Sequence, residues 1–248
     1  MADKIIAGLV TVRTSSKRLP AKCLLPFGDG NVLEHIIRRA RAFGIEPVVC
    51  TSIDSSDDII EKIAGNEGVR CFRGSLRNKL KRWSDCAGYF GLETFHTVDA
   101  DDPFFDGDEI KRSMSLLSEG GLDMVCPTES SSSGGASVGY SLTADIVKRA
   151  SADLSEEADT EMMWYYLEKI PGLRSAVLPE SQPTASMIRL TLDYQEDYWL
   201  LESVRRMVGN MAPRQEINRL FARNPDFYKV NWFRNEEWKL GQLAKKLN

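Results

Sequence analysis

Runs of apolar residues alternate with amphipathic segments through the first half of the chain. The runs are short and predict β-strands at Ile5–Val12, Pro47–Thr51, Val69–Phe72, Phe95–Val98 and Met124–Pro127. Between them, apolar residues recur every three or four positions, which is the spacing of one buried helix face. Because strands and helices alternate with short connections, the pattern predicts an α/β fold with a mostly parallel sheet and helices on both faces.

Polar residues mark where these helices begin. Asn31 is placed to cap the first helix, and Ser55 or Ser56 to cap the second. Asp57 and Asp58 then fall in the first turn of the second helix, where the helix dipole favours acids. A further helix is predicted around residues 109–117. The apolar positions assigned to buried helix faces are Leu33, Ile36, Ile37 and Ala40; Ile59, Ile60, Ile63 and Ala64; and Leu76, Leu80, Trp83, Ala87 and Phe90.

The second half of the chain has a less regular pattern. Residues 138–150 predict a strand and then a helix, residues 159–169 a helix, and residues 186–192 a strand. From about residue 196 the pattern is helical and rich in aromatic residues. The segment Glu129–Gly135 is interpreted as a flexible surface loop, with a mobile lip over a site as the alternative. No linker-like segment interrupts the sequence, so we expect one domain over residues 1–248.

The composition disfavours several classes of protein. The 248 residues carry a formal net charge of −4, whereas nucleic-acid binding relies on a basic field. Apolar stretches fall short of the roughly 20 residues that cross a bilayer, so we expect no membrane association. The five cysteines are widely spaced and form no CxxC pair, which is typical of buried thiols in a reducing cytosol. The N-terminal residues lack the pattern of a signal peptide, and we expect a cytoplasmic protein.

A basic segment directly follows the first predicted strand. It reads RTSSKRLPAK from Arg13 to Lys22 and contains four cations among small hydroxyl residues. The small residues let backbone N–H groups approach a phosphate chain, and Arg13, Arg18 and Lys22 can neutralise a triphosphate. A solvated basic loop is the alternative, but ligands of such sheets bind beyond the carboxyl ends of the strands, which favours phosphate binding. The segment does not fit the GxxxxGK[ST] pattern of P-loop NTPases.

Two acidic segments also follow predicted strands. Asp99-Ala100-Asp101-Asp102-Pro103 comes after the fourth strand, and Asp193-Tyr194-Gln195-Glu196-Asp197 comes after the strand predicted at 186–192. Clustered carboxylates suit Mg²⁺, which takes one or two of them together with phosphate oxygens. An acidic turn and a helix N-terminus are the respective alternatives. One basic and two acidic strand ends together indicate a site for a triphosphate and a metal ion.

The order of these motifs resembles the spore-coat-polysaccharide type of cytidylyltransferase, in the superfamily of CMP-Kdo and CMP-sialic acid synthetases. The resemblance spans about residues 4–201, and its most specific parts are the basic segment and the RLTLD…EDY element. The matching segments are Arg13–Lys22, Cys50-Thr51-Ser52, Phe72-Arg73-Gly74-Ser75, Ala100–Pro103, Arg189–Asp193 and Glu196-Asp197-Tyr198. It implies a Rossmann-like fold of the nucleotide-diphospho-sugar transferase type, a homodimer, and attack of an acceptor hydroxyl on the α-phosphate of CTP with release of pyrophosphate.

The resemblance also implies roles for individual residues. Arg13, Lys22 and Asp101 would be catalytic, and Asp101 and Asp193 would hold Mg²⁺. The two histidines lie outside the motifs; we expect His35 on a helix surface and His96 in a strand, and neither in catalysis. The nucleotide contacts would come from Arg13, Thr14, Ser15, Ser16, Arg18, Lys22, Thr51, Ser52, Arg73, Gly74 and Ser75.

The chain departs from the family pattern mainly where the acceptor would bind. Leu76-Arg77-Asn78-Lys79 stands where the family is acidic, two acids are missing around Ser137 and Gly139, and Met162 replaces a histidine. Ala21 replaces a glycine in the basic loop, which is tolerable if its φ is negative. We expect an acidic sugar acceptor, such as a nonulosonic or octulosonic acid, with Arg77 and Lys79 as candidate contacts. Solvated helix residues are the alternative for these two cations.

Three other functions stay open at this point. The acceptor could be a phosphonate or a polyol phosphate. A glycosyltransferase shares the sheet and an acidic metal motif, but the basic segment argues against it, because such enzymes bind a diphosphate chiefly through metal. A CTP-binding regulatory or scaffold protein without turnover would bind nucleotide and release no pyrophosphate.

Overall fold

A computed structural model describes residues 5–132, 139–181 and 187–246 of the chain. These residues form short strands and longer helices in alternation, as the apolar pattern predicts. The strands, in chain order, are β1 (Ile6–Thr11), β2 (Pro26–Phe27), β3 (Gly30–Asn31), β4 (Ile45–Ser52), β5 (Arg70–Gly74), β6 (Thr94–Asp99), β7 (Met124–Cys126), β8 (Ser141–Thr143) and β9 (Ser175–Val177). The helices are α1 (Val32–Ala42), α2 (Asp58–Asn66), α3 (Lys79–Phe90), α4 (Gly107–Glu119), α5 (Glu129–Ser132), α6 (Ala144–Ser151), α7 (Met163–Leu167), α8 (Gln195–Val208), α9 (Arg214–Arg223) and α10 (Arg234–Lys246).

One sheet organises the molecule. Seven strands lie in the order β5-β4-β1-β6-β8-β7-β9, while β2 and β3 form a separate antiparallel pair. Neighbouring strands are parallel except at β8, which runs antiparallel to both β6 and β7. The predicted mostly parallel α/β sheet is therefore confirmed. The strand order reverses at β1, which lies between β4 and β6, and this is where sheets of this type bind ligands.

Apolar side chains cover both faces of the sheet. In β1, Leu9 and Val10 point to opposite faces and are fully buried. Val10 belongs to a core shared with α1, α2, α4, α8 and α9. Leu9 belongs to a second core shared with α3, α6 and α7. Helices on both faces, as expected, thus bury the central strands completely.

Several predicted elements differ from the structure. Residues 187–192 form no strand, and the predicted strand's first residue, Ser186, lies outside the described residues. Ile188, Leu190 and Leu192 of this segment are buried, but its backbone makes a Leu192 N–H to Asp101 carbonyl bond and accepts from the side chains of Lys22 and Asn231 rather than forming a ladder. The helix predicted at 159–169 shortens to α7, and the loop predicted at 129–135 begins with the short α5, its remainder lying outside the described residues.

Three residues predicted on helix faces are placed differently. Leu76 lies ahead of α3, which begins at Lys79, and is partly buried. Ile59 is 40% exposed instead of buried. His35 is buried instead of lying on the surface, and its Nε2 donates to the Pro103 carbonyl at 2.7 Å. The reason is that α1 is covered on more than one side, since α8 and α9 pack on the same core as its apolar face.

The predicted helix caps are partly confirmed. The Asn31 side chain accepts from the Glu34 N–H and completes a capping box at α1. Asn78 caps α3 in the same way, by accepting from the Lys81 N–H. Neither Ser55 nor Ser56 caps α2; the Asp54 side chain instead accepts from Ser56 N–H and starts a short 3₁₀ turn ahead of that helix. Within the described ranges, every helix is too short or too polar to cross a membrane.

Candidate active site

The basic segment forms a folded loop after β1, at the reversal of strand order. The Thr14 carbonyl accepts from the N–H groups of both Ser16 and Ala21, which turns the chain back on itself. Ala21 has a φ of 52°, in the left-handed region. The condition under which alanine would be tolerated in place of glycine, a negative φ, is therefore not met, and Ala21 adopts the backbone that favours glycine.

Asp57 anchors this loop to the end of β4. Its Oδ1 accepts from the Thr14 N–H and hydroxyl, both at 2.8 Å, and its Oδ2 accepts from the Ser52 hydroxyl. The residue is 1% exposed. The sequence predicted that Asp57 lies in the first turn of a helix, where the helix dipole favours an acid. In the structure it also holds the basic loop, through its bonds to Thr14.

Lys22 lies between two carboxylates at the centre of the site. Its Nζ donates to Asp101 Oδ2 at 2.7 Å, to Asp193 Oδ1 at 2.9 Å and to the Leu192 carbonyl at 2.8 Å. Arg18 Nη2 donates to the same Asp193 oxygen at 2.6 Å. The structure thus brings together four residues that the sequence assigned to the triphosphate and the metal, although they lie up to 175 positions apart.

The pKa values in this cluster are set by charge pairing. Burial alone would lower the pKa of Lys22, but Asp101 and Asp193 outweigh burial and raise it above its ordinary value. Burial likewise would raise the pKa of Asp193, yet Lys22 and Arg18 bring it below the usual range. Lys22, Arg18 and Asp193 are therefore charged at neutral pH, and the cluster favours ligands that carry both signs of charge, such as a metal–triphosphate.

Asp101 also belongs to a second cluster, with Asp99 and Asp102. One carboxylate oxygen from each lies within 4.8 Å of the others. Burial raises the pKa of Asp102, and the charges of Asp101 and Asp99 raise it further. Asp102 Oδ1 is buried and has no hydrogen-bond partner in the described parts of the chain. Three hard oxygen donors with unfavourable mutual repulsion fit a divalent cation such as Mg²⁺.

Asp193 is less favourably placed to bind a metal ion than Asp101 is. Asp193 lies outside the three-aspartate cluster, and Lys22 Nζ separates its carboxylate from that of Asp101. Asp101 is 29% exposed and open to a ligand, while Asp193 is 2% exposed. A metal ligand role for Asp193 therefore requires Lys22 to move, and it stays a prediction.

A third group of charges lies near the start of α3. Arg13 Nη2 donates to Glu161 Oε2 at 3.0 Å, and its Nη1 donates to the Leu76 carbonyl at 2.8 Å. Lys79 Nζ is 4.0 Å from Glu161 and 3.7 Å from Asp99, and it lies 5.1 Å from the centre of the Trp83 ring. Glu161 was not singled out by the sequence, because its role depends on contacts 148 positions away.

The two candidate acceptor cations occupy different environments. The Lys79 side chain is 12% exposed and faces Asp99 in the interior of the site. The Arg77 side chain is 56% exposed and pairs with Glu157, which is 79% exposed. Lys79 is therefore not the solvated residue that the alternative describes. The exposure of Arg77 agrees with a solvated side chain.

A cavity of about 430 Å³ opens beside the edge strand β5. Its walls include Arg73, Gly74, Ser75, Leu76 and Arg77, together with acidic residues of α3 and the segment before α7. The cavity includes neither the basic loop nor the aspartates. Because Arg13 binds the Leu76 carbonyl in the cavity wall, its side chain connects the cavity to the loop.

The other residues predicted to contact the nucleotide differ in how far their side chains are exposed. Ser15 is exposed and Ser16 is partly buried in the basic loop, so both are open to a ligand. Thr51 and Ser52 are fully buried, and the Ser52 hydroxyl is bound to Asp57. Arg73 points toward α2, where it pairs with Asp58 at 2.7 Å. The side chains of Thr51, Ser52 and Arg73 therefore pack within the protein next to the site. Direct contacts of these side chains with nucleotide stay a prediction.

The fold is an α/β sheet with helices on both faces, and the charged cluster at its switch point has the residue types that suit a polyphosphate and a divalent cation. The chain belongs to the cytidylyltransferase family, whose sequence model matches residues 7–224. It is thus classed as a CTP-dependent nucleotidyltransferase, and the resemblance noted in the sequence is confirmed.

Individual proteins support this placement. The spore coat polysaccharide biosynthesis protein SpsF of Bacillus subtilis is 26% identical over 237 residues, which cover 88% of this chain and 94% of that protein. A cytidylyltransferase from Leptospira borgpetersenii superposes with a TM-score of 0.79 at 23% identity, covering 91% of this chain and 97% of that one. The synthetase of CMP:2-keto-3-deoxy-manno-octonic acid, complexed with CTP, gives 0.59 at 14% identity, covering 82% and 98%. These two structures confirm the nucleotide-diphospho-sugar transferase-like fold.

Proposed function

We propose that this enzyme transfers CMP from CTP to a hydroxyl of an acidic sugar and releases pyrophosphate. A 2-keto-3-deoxy sugar acid, such as an octulosonic or nonulosonic acid, is the proposed acceptor, and the product serves surface polysaccharide biosynthesis. The observation that carries the proposal is the position of Lys22, within 3 Å of Asp101 and Asp193 at the switch point of the sheet. The names of the spore-coat protein and the CTP-bound synthetase support the product class.

The nucleotide is proposed to span the basic loop and the cavity beside β5. Arg13, Arg18 and Lys22 neutralise the triphosphate, and the backbone of Thr14, Ser15 and Ser16 approaches its oxygens. The base and ribose then extend toward Arg73, Gly74 and Ser75, whose cavity of about 430 Å³ has room for a nucleoside. Arg13 lies where the two parts meet.

Mg²⁺ is proposed to bind at Asp101, with Asp99 and Asp102 beside it and Asp193 approaching from the far side of Lys22. When bound, it withdraws charge from the phosphate oxygens. The protein's own contribution is to orient the phosphates and to supply fixed positive charge, which is the main part of catalysis in phosphate transfer. The acceptor oxygen forms a bond to the α-phosphorus as the bond from that phosphorus to pyrophosphate breaks.

Lys79 is proposed to bind the carboxylate of the acceptor. It is the interior cation beside Asp99, and the neighbouring Glu161 competes with the acceptor for its charge. An ammonium that is 12% exposed is weakly screened by water, so an acceptor carboxylate gains more there than at the solvated Arg77.

A matched pair of variants tests this assignment. Pyrophosphate release is measured with CTP and Mg²⁺ over a panel of acidic sugars, neutral sugars and polyol phosphates. Lys79→Met is expected to raise the KM for the acidic sugar by about 10-fold or more, the effect of losing a charged hydrogen-bond partner, with little change in the KM for CTP. Arg77→Met is expected to change the KM for the acidic sugar by no more than about twofold.

Three results would contradict the proposal in different ways. Equal effects of the two variants would remove Lys79 from acceptor binding. Release only with polyol phosphates would replace the acceptor class. CTP binding without release on any acceptor would instead indicate a regulatory protein.

We further propose a cytoplasmic homodimer, to be tested by cell fractionation and by light scattering of the purified chain; the five free thiols suit a reducing compartment.

A further inference from the structure

A buried polar cluster lies behind Asp193 and is not explained by the proposed chemistry. Its members are Arg189, Asp197, Asn231 and Asn235, and each is 0% exposed. Buried charges and amides are costly unless they are bound to partners, so a cluster of this kind has a defined geometry. Its position, directly under a residue of the active site, relates it to function.

Asp197 is the centre of this cluster. Its carboxylate accepts from Arg189 Nε at 2.9 Å and Nη2 at 3.1 Å, which is a bidentate pair. Its Oδ2 also accepts from the backbone N–H groups of Asp193 and Tyr194, both at 2.9 Å. The carboxylate therefore fixes the backbone from which the Asp193 side chain projects toward Lys22.

Of the two carboxylates that face Arg189, that of Asp197 is the nearer. Arg189 Nη2 is 3.6 Å from Asp193 Oδ2, so Arg189 could draw that carboxylate away from the site. Because Asp197 satisfies Arg189 at shorter distances, Asp193 Oδ1 stays with Lys22 and Arg18. The arrangement separates a structural ion pair from a functional one, although the two share neighbouring carboxylates.

The other side of the cluster comes from the C-terminal segment. Asn231 Nδ2 donates to Asp197 Oδ1 at 2.9 Å and to the Arg189 carbonyl at 3.0 Å. Asn235 Oδ1, on α10, accepts from Arg189 Nη1 at 3.3 Å. Both asparagines lie beyond residue 224, where the match to the cytidylyltransferase family ends.

We propose that Asn231 is a positioning residue of the active site, which acts through Asp197 and Arg189 to keep the carboxylate of Asp193 facing Lys22 and Asp101, where it meets the metal ion once Lys22 turns to the triphosphate. The C-terminal segment thereby completes the metal–nucleotide site, although it contributes no group that touches the ligand. This inference rests on the proposed function, in which Asp193 serves the metal-bound nucleotide.

The test measures binding of Mn²⁺ to the full chain in the presence of CTP, by electron paramagnetic resonance, alongside pyrophosphate release. Asn231→Ala is expected to weaken Mn²⁺ binding by about 10-fold, the effect of losing an outer partner of a metal ligand. The control is Asn224→Ala, whose side chain donates only to the Leu220 carbonyl of its own helix turn and is exposed. That control is expected to bind as the wild type does.

A double-mutant comparison separates positioning from general destabilisation. In an Asp193→Asn background, where the three-aspartate cluster still binds Mn²⁺, Asn231→Ala is expected to add less than a twofold change. An equal loss in both backgrounds, or no loss in the wild-type background, would overturn the proposal. If Asn231→Ala does not fold, Asn235→Ala replaces it, with a smaller loss in the same direction expected and the same two contradictory outcomes.

The outcomes distinguish this proposal from the proposed function. Mn²⁺ and CTP that bind the wild type without release of pyrophosphate would contradict the function alone, since the binding comparison still reports on Asn231. Pyrophosphate release with unchanged Mn²⁺ binding in Asn231→Ala would contradict the positioning role alone. A wild type that binds no Mn²⁺ with CTP would contradict both.

Discussion

At the residue scale, the active site is held in place by its own opposite charges. Lys22 is 14% exposed and is bound to two carboxylates, while Arg18 and Arg13 are each bound to one. Without such pairing, side chains of this length would be mobile in the free enzyme. The entropy cost of ordering them would then reduce the free energy of nucleotide binding. The ion pairs thus keep the cations near their working positions, and a metal–triphosphate exchanges one set of charged partners for another.

The left-handed backbone of Ala21 makes a prediction about stability. Its Cβ costs roughly 1–2 kcal/mol at a φ of 52°, whereas glycine costs about 0.4–1 kcal/mol through the unfolded chain. Ala21→Gly is therefore expected to stabilise the protein by about 0.5 kcal/mol in urea unfolding. Ala152→Gly, at the exposed C-cap of α6 with a φ of −58°, is expected to lose about 0.4–1 kcal/mol through the unfolded chain alone. An equal loss in both variants would contradict the conformation of Ala21.

Burial of His35 makes a prediction about pH. Burial, with a smaller contribution from the nearby arginines, lowers the pKa of His35 to about 4, although the bond to Pro103 opposes the shift. A histidine with a lowered folded pKa contributes stability that is complete above about pH 6.5 and is lost as the pH falls toward 4. The comparison is with His35→Gln, which can still donate to the Pro103 carbonyl. Relative to this variant, the unfolding free energy of the wild type is expected to fall by about 2.5 kcal/mol between pH 7.5 and 4.5. A constant difference in unfolding free energy across this range would show that His35 titrates normally.

At the scale of elements, the site is built by connections between the ends of strands. The loop after β1 is fixed by Asp57, which lies after β4, and faces Asp99 at the end of β6 and Asp101 just beyond it. Since β4, β1 and β6 are adjacent and parallel, their carboxyl ends meet at one edge of the sheet. Small shifts of one strand end are therefore transmitted to the neighbouring loop.

Asp57 offers a test of this connection. Asp57→Asn is expected to destabilise the protein by about 1.5–3 kcal/mol, since it removes the charge that accepts from Thr14 and Ser52. The KM for CTP is expected to rise, because the phosphate-binding backbone loses its anchor. Asp58→Asn is the control: its side chain is 65% exposed and its pair with Arg73 contributes less than about 1 kcal/mol. A variant at 57 with wild-type KM and stability would show that the loop holds its shape without the anchor.

At the scale of the whole molecule, the sequence predicted what depends on local pattern. Strand and helix alternation gave the sheet and its two helical layers, because apolar runs and helical spacing reflect burial directly. The basic segment and the aspartates were identified because each follows a strand in sequence. Lys22 and Asp101, which follow the adjacent strands β1 and β6, then meet in space, and Asp193 joins them although residues 187–192 form no strand.

The parts that the sequence missed depend on contacts over long distances. His35 and the segment 187–192 were misassigned because their surroundings come from elsewhere in the chain: α8 and α9 cover α1, and Leu192 bonds to Asp101. Asp57, Glu161 and Asn231 have ordinary local sequence contexts. Apart from Ser52, which is five positions from Asp57, the partners described for these residues lie between 34 and 148 positions away, and periodicity carries no signal of such contacts.

The most direct test of the account follows the two ends of the triphosphate separately. CTP labelled with ³²P at the α or the γ position is incubated with the enzyme, Mg²⁺ and an acidic sugar acceptor, and the products are separated. The account predicts that the α label enters a CMP–acceptor adduct and the γ label enters pyrophosphate, with turnover falling at least about 100-fold in Asp101→Asn. The γ label in inorganic phosphate or in the acceptor, or an active Asp101→Asn, would contradict it.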